Sequence, residues 1–565
     1  MFRFKTRTWW LILILAVAAA VRLYNLGRIP SGFIPEEVSS GWNAYSLLKT
    51  GRDEWGVLLP IIFRETGGYK LALGSYLMVP AVALFGLSEF SVRLPAALAG
   101  VLAVYLTYLL VKHLFKRDSF ALAAALLLAI SPWHIAVGRY GVDVNWGVPL
   151  FLGGLLAFLK FKTHPRWLIV SGVLFALTFY TYFNYIVFTW LFLMSLGWIY
   201  RKDLWVRDRR TWLIGFYLIQ LVFMLPYILQ PNLTTRFSQA TSVSQIGFVN
   251  RINEHRQACT AIYPKTLCTA IYNKYTDRVI EFSHNLINHY STTIFFVSGS
   301  QLGLSGMPAG WGFLYPFEFV LIALGLIVMI RKQLFTPLLG AWFFLYAVPS
   351  SLAADGHIWR MFTFLPLPQI IGGIGLVHLA NQRKQIWVQA GIGLICALFV
   401  FRFLVDYTSY LPWAQGANSF FGFRDLYSYL KTVEKDYDYI VVAPSGLGFD
   451  QLYIYYLFYM QPDPREYQLG VDVERPVGRE NWVEVKRIAK WHFVGDVRNV
   501  VFDLPDKTLL VADGNFKEKA PLPQNVMLTE LIKTINFANG DPAFKVLILH
   551  KNPAFKPQPS PKASL

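Results

Sequence analysis

Cysteine is nearly missing from this chain, with three in 565 residues. Cys396 lies in an apolar run, where a thiol acts as inert packing. Cys259 and Cys268 bracket a short segment, ACTAIYPKTLCTA, that contains a proline. No further cysteine joins this pair, so the sequence does not support a cysteine-based metal site. A disulfide is the expected state if the segment faces an oxidising compartment, and two free thiols are the alternative. Charge is scarce too: 15% of residues are charged, 55% are hydrophobic and 16% aromatic. Soluble domains carry roughly 25% charged residues. With a mean hydropathy of +0.40, the composition excludes a purely soluble protein and indicates a polytopic membrane protein with some soluble chain left over.

The net charge of +18 would suggest nucleic acid in a soluble protein. Here the lysines and arginines cluster in short loops between apolar runs, which is the pattern of membrane topology, and no nucleic-acid partner is expected. No cleavage site follows the first apolar run, so it reads as a retained anchor behind a cytoplasmic N-terminus bearing Arg3, Lys5 and Arg7. If the runs 71–87 and 90–110 both crossed, Lys112, Lys116 and Arg117 would fall outside. Residues 71–87, which contain Gly74, Ser75 and Pro80, are therefore expected to be interfacial or re-entrant. The charge pattern then holds for the remaining runs, 119–135, 144–159, 167–182, 185–200, 212–229, 314–330, 337–353, 361–380 and 386–404. That gives about eleven spans, N-terminus in and C-terminus out.

Three stretches stand apart. Outer loops are expected at 25–89 and 230–312, both within a transmembrane domain at 1–405. From residue 406 the composition becomes that of a soluble α/β domain, to about 555, followed by a disordered tail at 556–565. Strands are expected at 439–442, 508–512 and 544–549, and amphipathic helices at 425–433 and 451–460. Asn232 opens a glycosylation sequon of a kind common by chance.

The first outer loop holds the densest chemistry: Glu36-Glu37, Asp53-Glu54, Arg64, Glu65 and Lys70. Carboxylates pressed between membrane helices are costly unless they act at the membrane face. Trp42, Tyr45 and Leu48 are near helical spacing, so 42–49 is expected to lie flat in the interface. Other polar groups gather at the outer ends of spans: His134 and Arg139 followed by Asp143 and Asn145, then His284 and His289, then Asp355, His357 and Arg360. Span centres are almost free of charge. That distribution suits an enzyme whose lipid-linked substrate keeps its tail in the bilayer and its phosphate at the surface. A carboxylate can take the proton of an attacking hydroxyl. Lys70 and Arg360 can balance a departing phosphate, and His357 can donate to it or help to hold a metal. The bland readings are solvated carboxylates, basic side chains snorkelling to headgroups, and His134 as a helix-end hydrogen-bonder.

An ordered series of motifs carries a resemblance. It comprises PSGFIPEE, NAYSLLKTGRDEWG, GGYK, SEFSVRLPAALAG, SPWHIAVGRYG, FSHNLINHYSTTIFFVSG and DGHIWRMFTFLPLP. Together they resemble the dolichyl-phosphate-mannose protein mannosyltransferase family and its bacterial relatives, which include aminoarabinose transferases acting on lipid A. The resemblance implies the GT-C fold, a polyprenyl-phosphate sugar donor and a hexosyl or pentosyl transferase in the inner cell membrane. The acceptor would be a protein, lipid or glycan outside the cytoplasm. Glu36 takes the place of the family's catalytic aspartate, one methylene longer, with Glu37 beside it. Lys70 takes that of a donor-phosphate lysine. From their place at the outer ends of the spans, and not from the resemblance, Arg139, His357 and Arg360 are expected to hold the phosphate with it. Asp53, Glu54 and His289 are accessory or acceptor-side candidates. Leu71 stands where many relatives have proline, and Tyr69 where some have a metal-binding acid. No cofactor is assigned, and use of a divalent metal is left open. A lipid or polysaccharide transporter is the rival reading, which calls for ionisable groups at mid-membrane and two related halves, and neither is evident. A catalytically inactive relative acting as a binding protein is a third.

The topology is directly testable. Single cysteines placed at Lys116 and Arg201 are expected to resist impermeant thiol reagents in intact cells, whereas those at Asn253 and Lys507 should react. Outer labelling at 116 would reject the interfacial reading of 71–87.

Overall fold

The computed structural model describes residues 2–65, 68–229, 246–299, 306–353, 357–382, 386–414, 420–444, 451–476, 483–516 and 527–553. The sequon at Asn232, Asp355 and the tail at 556–565 lie outside these. The chain forms two compact units. One comprises Met1–Pro30, Ile61–Phe63 and Tyr69–Leu411, and the other Ser31–Pro60, Arg64–Gly68 and Pro412–Leu565. This division differs from the one drawn on composition, because most of the first outer loop folds with the C-terminal residues.

The first unit is helical, and each apolar run becomes a helix or a pair of helices. Among the described residues, four helical segments are long and apolar enough to cross a membrane: Glu89–Phe115, Val144–Lys162, Arg207–Leu229 and Gln389–Ala414. A fifth span results if Asp118–Ile130 and Pro132–Gly138, bent by 56°, count together. The sequence expected one span at 119–135. Pro132 lacks an N–H to continue the first helix, and Ser131 Oγ instead accepts from His134 N–H to start the second. Leu73–Phe85 has thirteen residues with Pro80 inside, about 20 Å at 1.5 Å per residue, short of a ~30 Å hydrocarbon core. Among the described residues within 230–312 are three α-helices, Ile246–Thr260, Lys265–Ile271 and Lys274–Asn288, and a π-helical segment, Ile294–Ser298. A Cys259–Cys268 disulfide with Cα atoms 5.7 Å apart joins the first two.

Three buried arginines shape the end of the first helix, Phe2–Leu23. Arg22 donates to the carbonyls of Ala18, Leu128 and Ala129, and its Nη2 lies 2.7 Å from His134 Nδ1. Arg93 donates to Leu26 and Pro30. Arg139 donates to Val21 at 2.7 Å, Tyr24 at 2.6 Å and Ile29 at 2.8 Å, with its guanidinium 5.6 Å from the Tyr407 ring. A helix C-terminus leaves carbonyls without intrahelical partners and carries partial negative charge. The planar, five-donor guanidinium collects such carbonyls where the point charge of lysine cannot.

The second unit is built on a seven-stranded sheet. Its order is Val473–Glu474, Arg487–Ile488, Trp491–Phe493, Ile440–Ala443, Thr508–Asp513, Pro542–Lys551 and Met527–Asn536. Ile440–Ala443 runs parallel to both neighbours, and the remaining pairings are antiparallel. All four residues of that central strand are buried. The three expected strands are present, and the four others are short, edge-lying or rich in charge. Phe423–Val433 is amphipathic as expected. Leu452–Met460, LYIYYLFYM, is not: every residue from Leu452 to Phe458 is buried, as in a helix covered on all sides.

What covers it includes the loop helix Pro35–Thr50, where Val38 and Trp42 are fully buried and Trp42 meets Tyr467 edge-on at 6.5 Å. Gln468 Nε2 donates to Ser46 Oγ, Thr50 Oγ1 and the Asp53 carbonyl at 2.8, 3.0 and 2.9 Å. The expected interfacial helix is therefore corrected. Trp42 is committed to protein, and on that face Leu48 alone is exposed. Burying each such apolar side chain contributes roughly 1.5–3 kcal/mol, which favours the protein surface over lipid headgroups.

The arginine cluster gives a clear outcome for Arg139→Gln. Losing a charged donor to three carbonyls is expected to cost about 2–4 kcal/mol of stability, read as a lowered thermal transition in detergent, with phosphate-ligand affinity of the folded protein unchanged. Parental stability with weakened phosphate binding would return Arg139 to the phosphate site.

Candidate active site

The four loop carboxylates divide by burial and bonding. Pro35 occupies the first helical turn, where its missing N–H costs nothing. Glu36 and Glu37 follow, at the end of the helix where backbone N–H groups favour negative charge. Glu37 is fully buried, and its Oε2 accepts from Ile34 N–H at 3.4 Å. Glu36 is exposed, its own carbonyl taken by Ser40 Oγ. One helical position thus separates a buried carboxylate from an exposed one.

Asp53 and Glu54 have structural partners. Asp53 Oδ1 accepts from Trp55 and Val57 N–H at 2.9 and 2.8 Å, closing the turn after the helix. Burial pushes its carboxyl above the usual range, against these backbone donors, which lower it. Glu54 is buried, its N–H on Asn43 Oδ1 and its Oε1 accepting from Tyr453 hydroxyl at 3.1 Å. These bonds explain the pair as loop-shaping groups.

In the helical unit, Lys70 and Asp143 are both buried, with Nζ 3.9 Å from Oδ2. A Cβ on Gly74 would come within 1.9 Å of Asp143 Oδ1, so only glycine admits this approach. His357 is pushed down to about 4, first by burial and then by the charge of Arg360. It is therefore neutral at pH 7. Its Nδ1 accepts from Trp359 N–H at 3.3 Å, which leaves the proton on Nε2 as a donor. The Arg360 carbonyl accepts from Asn184, and among the described residues its guanidinium has no hydrogen-bond or ion-pair partner. His357 and Arg360 are thus a neutral donor and an available cation three residues apart.

The other basic candidates have different work. Arg139 belongs to the carbonyl clamp at the end of the first helix. His289 is fully buried between helices, its Nδ1 2.6 Å from the Asn285 carbonyl and 3.4 Å from Ser351 Oγ, while its own carbonyl takes the Tyr346 hydroxyl. Those bonds describe a packed core histidine. Among the described residues, no group of three or more His, Cys, Asp or Glu side chains comes together to hold a metal ion. Sequence reasoning missed Tyr453, Tyr455 and Gln468, which hold the carboxylate loop. The tyrosine-rich run LYIYYLFYM was the available signal for the two tyrosines, since so many aromatics in a soluble stretch must be covered by something.

Residues 72–229 match the dolichyl-phosphate-mannose-protein mannosyltransferase family. The matched span begins after Glu36 and Lys70 and bears on neither. No curated protein matches the sequence significantly. In fold, the chain is similar to ArnT from Cupriavidus metallidurans bound to undecaprenyl phosphate. That likeness has a TM-score of 0.55 at 15% identity and covers 98% of this chain and 100% of the other. The apo form of the same protein gives a TM-score of 0.55 at 15% identity over 98% and 99%. By these matches, residues 72–229 are similar to the dolichyl-phosphate-mannose-protein mannosyltransferase family, and the chain as a whole is similar in fold to ArnT, a likeness that fits the apolar helices of the first unit.

Proposed function

We propose that this protein transfers one sugar from a polyprenyl-phosphate donor to an acceptor hydroxyl outside the cytoplasm, with inversion, and that Glu36 is the general base. The observation that carries this reading is the unequal treatment of two adjacent carboxylates. Glu37 is buried and bonded, and Glu36 is exposed at the start of a helix whose other side is locked in protein. ArnT's complex with undecaprenyl phosphate supports the class of lipid carrier.

In a single displacement, the acceptor oxygen forms a bond to the anomeric carbon as Glu36 takes its proton. The bond from that carbon to the phosphate oxygen breaks on the opposite face, which inverts the centre. The departing phosphate keeps the electron pair, so its charge grows in the transition state. Lys70, Arg360 and the Nε2–H of His357 are the groups proposed to meet that charge. Asp143 is the carboxylate beside Lys70 in this buried setting. N-terminus inside and C-terminus outside is the proposed orientation in the cell membrane, and the acceptor class is protein, lipid or glycan.

Glu36→Gln keeps shape but accepts no proton. Transfer by the purified variant in lipid is expected to fall at least ~10²-fold, the low end of what a positioned base contributes, with donor affinity retained. Arg360→Ala should weaken donor binding and slow transfer together. Normal transfer by Glu36→Gln would remove Glu36 from the mechanism.

A further inference from the structure

We propose that Tyr455, on the buried aromatic helix of the C-terminal residues, is a positioning residue for the Glu36–Glu37 pair, acting through the Phe33–Ile34 peptide. The inference rests on the reading of Glu36 as the base. Tyr455 hydroxyl donates to the Phe33 carbonyl at 2.7 Å. The N–H of that same peptide, on Ile34, donates to Glu37 Oε2. One peptide plane is therefore gripped at its oxygen by a phenol and at its nitrogen by the anchored carboxylate. A chain of donors and acceptors in this order polarises in one direction, so each bond strengthens the next. Rotating the plane would break both bonds at once and release the residues that set the entry to the helix.

The tyrosine is itself fixed. Its ring lies against Phe423, with centroids 3.9 Å apart and planes at 15°, and Phe420 stacks at 6.2 Å. One turn along the same helix, Phe458 packs on the Phe33 ring at 4.9 Å. Phe33 is thus held by its carbonyl and by its side chain from a single rigid element. Burial first, and then the charges of Tyr459, Glu36 and Glu37, push the Tyr455 phenol well above its ordinary range, which keeps it a donor. Nothing in this arrangement requires Tyr455 to touch substrate. Its effect on Glu36 is geometric, through the backbone one turn before it.

Tyr455→Phe removes one oxygen and leaves the ring stack. In full-length protein in lipid, kcat is expected to fall roughly 10- to 100-fold, the scale of an ångström-level misplacement, with KM for donor and the thermal transition little changed. The decisive arm is the double variant. Added to Glu36→Gln, Tyr455→Phe should cause no further loss, because the group it positions is already disabled. A full multiplicative loss in that background, or parental kcat for Tyr455→Phe alone, would overturn the inference while leaving Glu36 in place. Normal transfer by Glu36→Gln would overturn the catalytic reading, and this inference with it. If Tyr455→Phe does not fold, Phe458→Leu, which loosens the Phe33 ring and keeps the Tyr455 hydroxyl, should show the same split between kcat and KM, and unchanged kcat there also counts against it.

Discussion

A carboxylate proposed as a general base must be exposed on one side and immobile on the other, and the helix Pro35–Thr50 is held by burying eleven of its sixteen residues. Its buried side rests on Leu452–Met460 and Pro464–Leu469. Trp42 supplies apolar area, Gln468 ties the far end by three hydrogen bonds, and the Phe33–Ile34 peptide is gripped at the near end. The apolar contacts set the stability, since each is worth more than a surface ion pair. The polar ones set the angle. Exposure of Glu36 is then a consequence of packing everything around it.

The helical unit meets the converse problem of placing charge where burial is costly. Its arginines Arg22, Arg93 and Arg139 are spent on carbonyls that a helix end and the following turn leave unsatisfied. Lys70 is buried beside Asp143. Arg360 differs, because among the described residues its guanidinium has no hydrogen-bond or ion-pair partner. Three positively charged side chains that look alike in the sequence, at 70, 139 and 360, thus have three distinct surroundings.

Periodicity and charge made much of this legible. The apolar runs became helices, the strands near 440, 508 and 544 formed, and the motif series led to the family and fold that the comparisons bear out. Partnership was not legible. Trp42, Tyr45 and Leu48 have the spacing of an interfacial helix, and nothing local says that a helix 400 residues later will cover Trp42. Arg139 sits at an outer helix end like a phosphate ligand, and its carbonyl partners carry no sequence signature. Pro132 did mark the break in an apolar run that hydropathy alone read as one span. The run LYIYYLFYM was identified as helical, but its burial on every side required knowing that the first loop supplies the covering surface.

The central claim is that the carboxylate-bearing loop helix and the C-terminal sheet fold as one cooperative unit. Hydrogen exchange of the full-length protein in lipid nanodiscs tests it most directly. Amides of Pro35–Thr50 are expected to show the same protection as those of Ile440–Ala443 and Thr508–Asp513, and to lose it at the same denaturant concentration. Exchange of the loop helix many times faster than the sheet, or at a separate transition, would contradict the account.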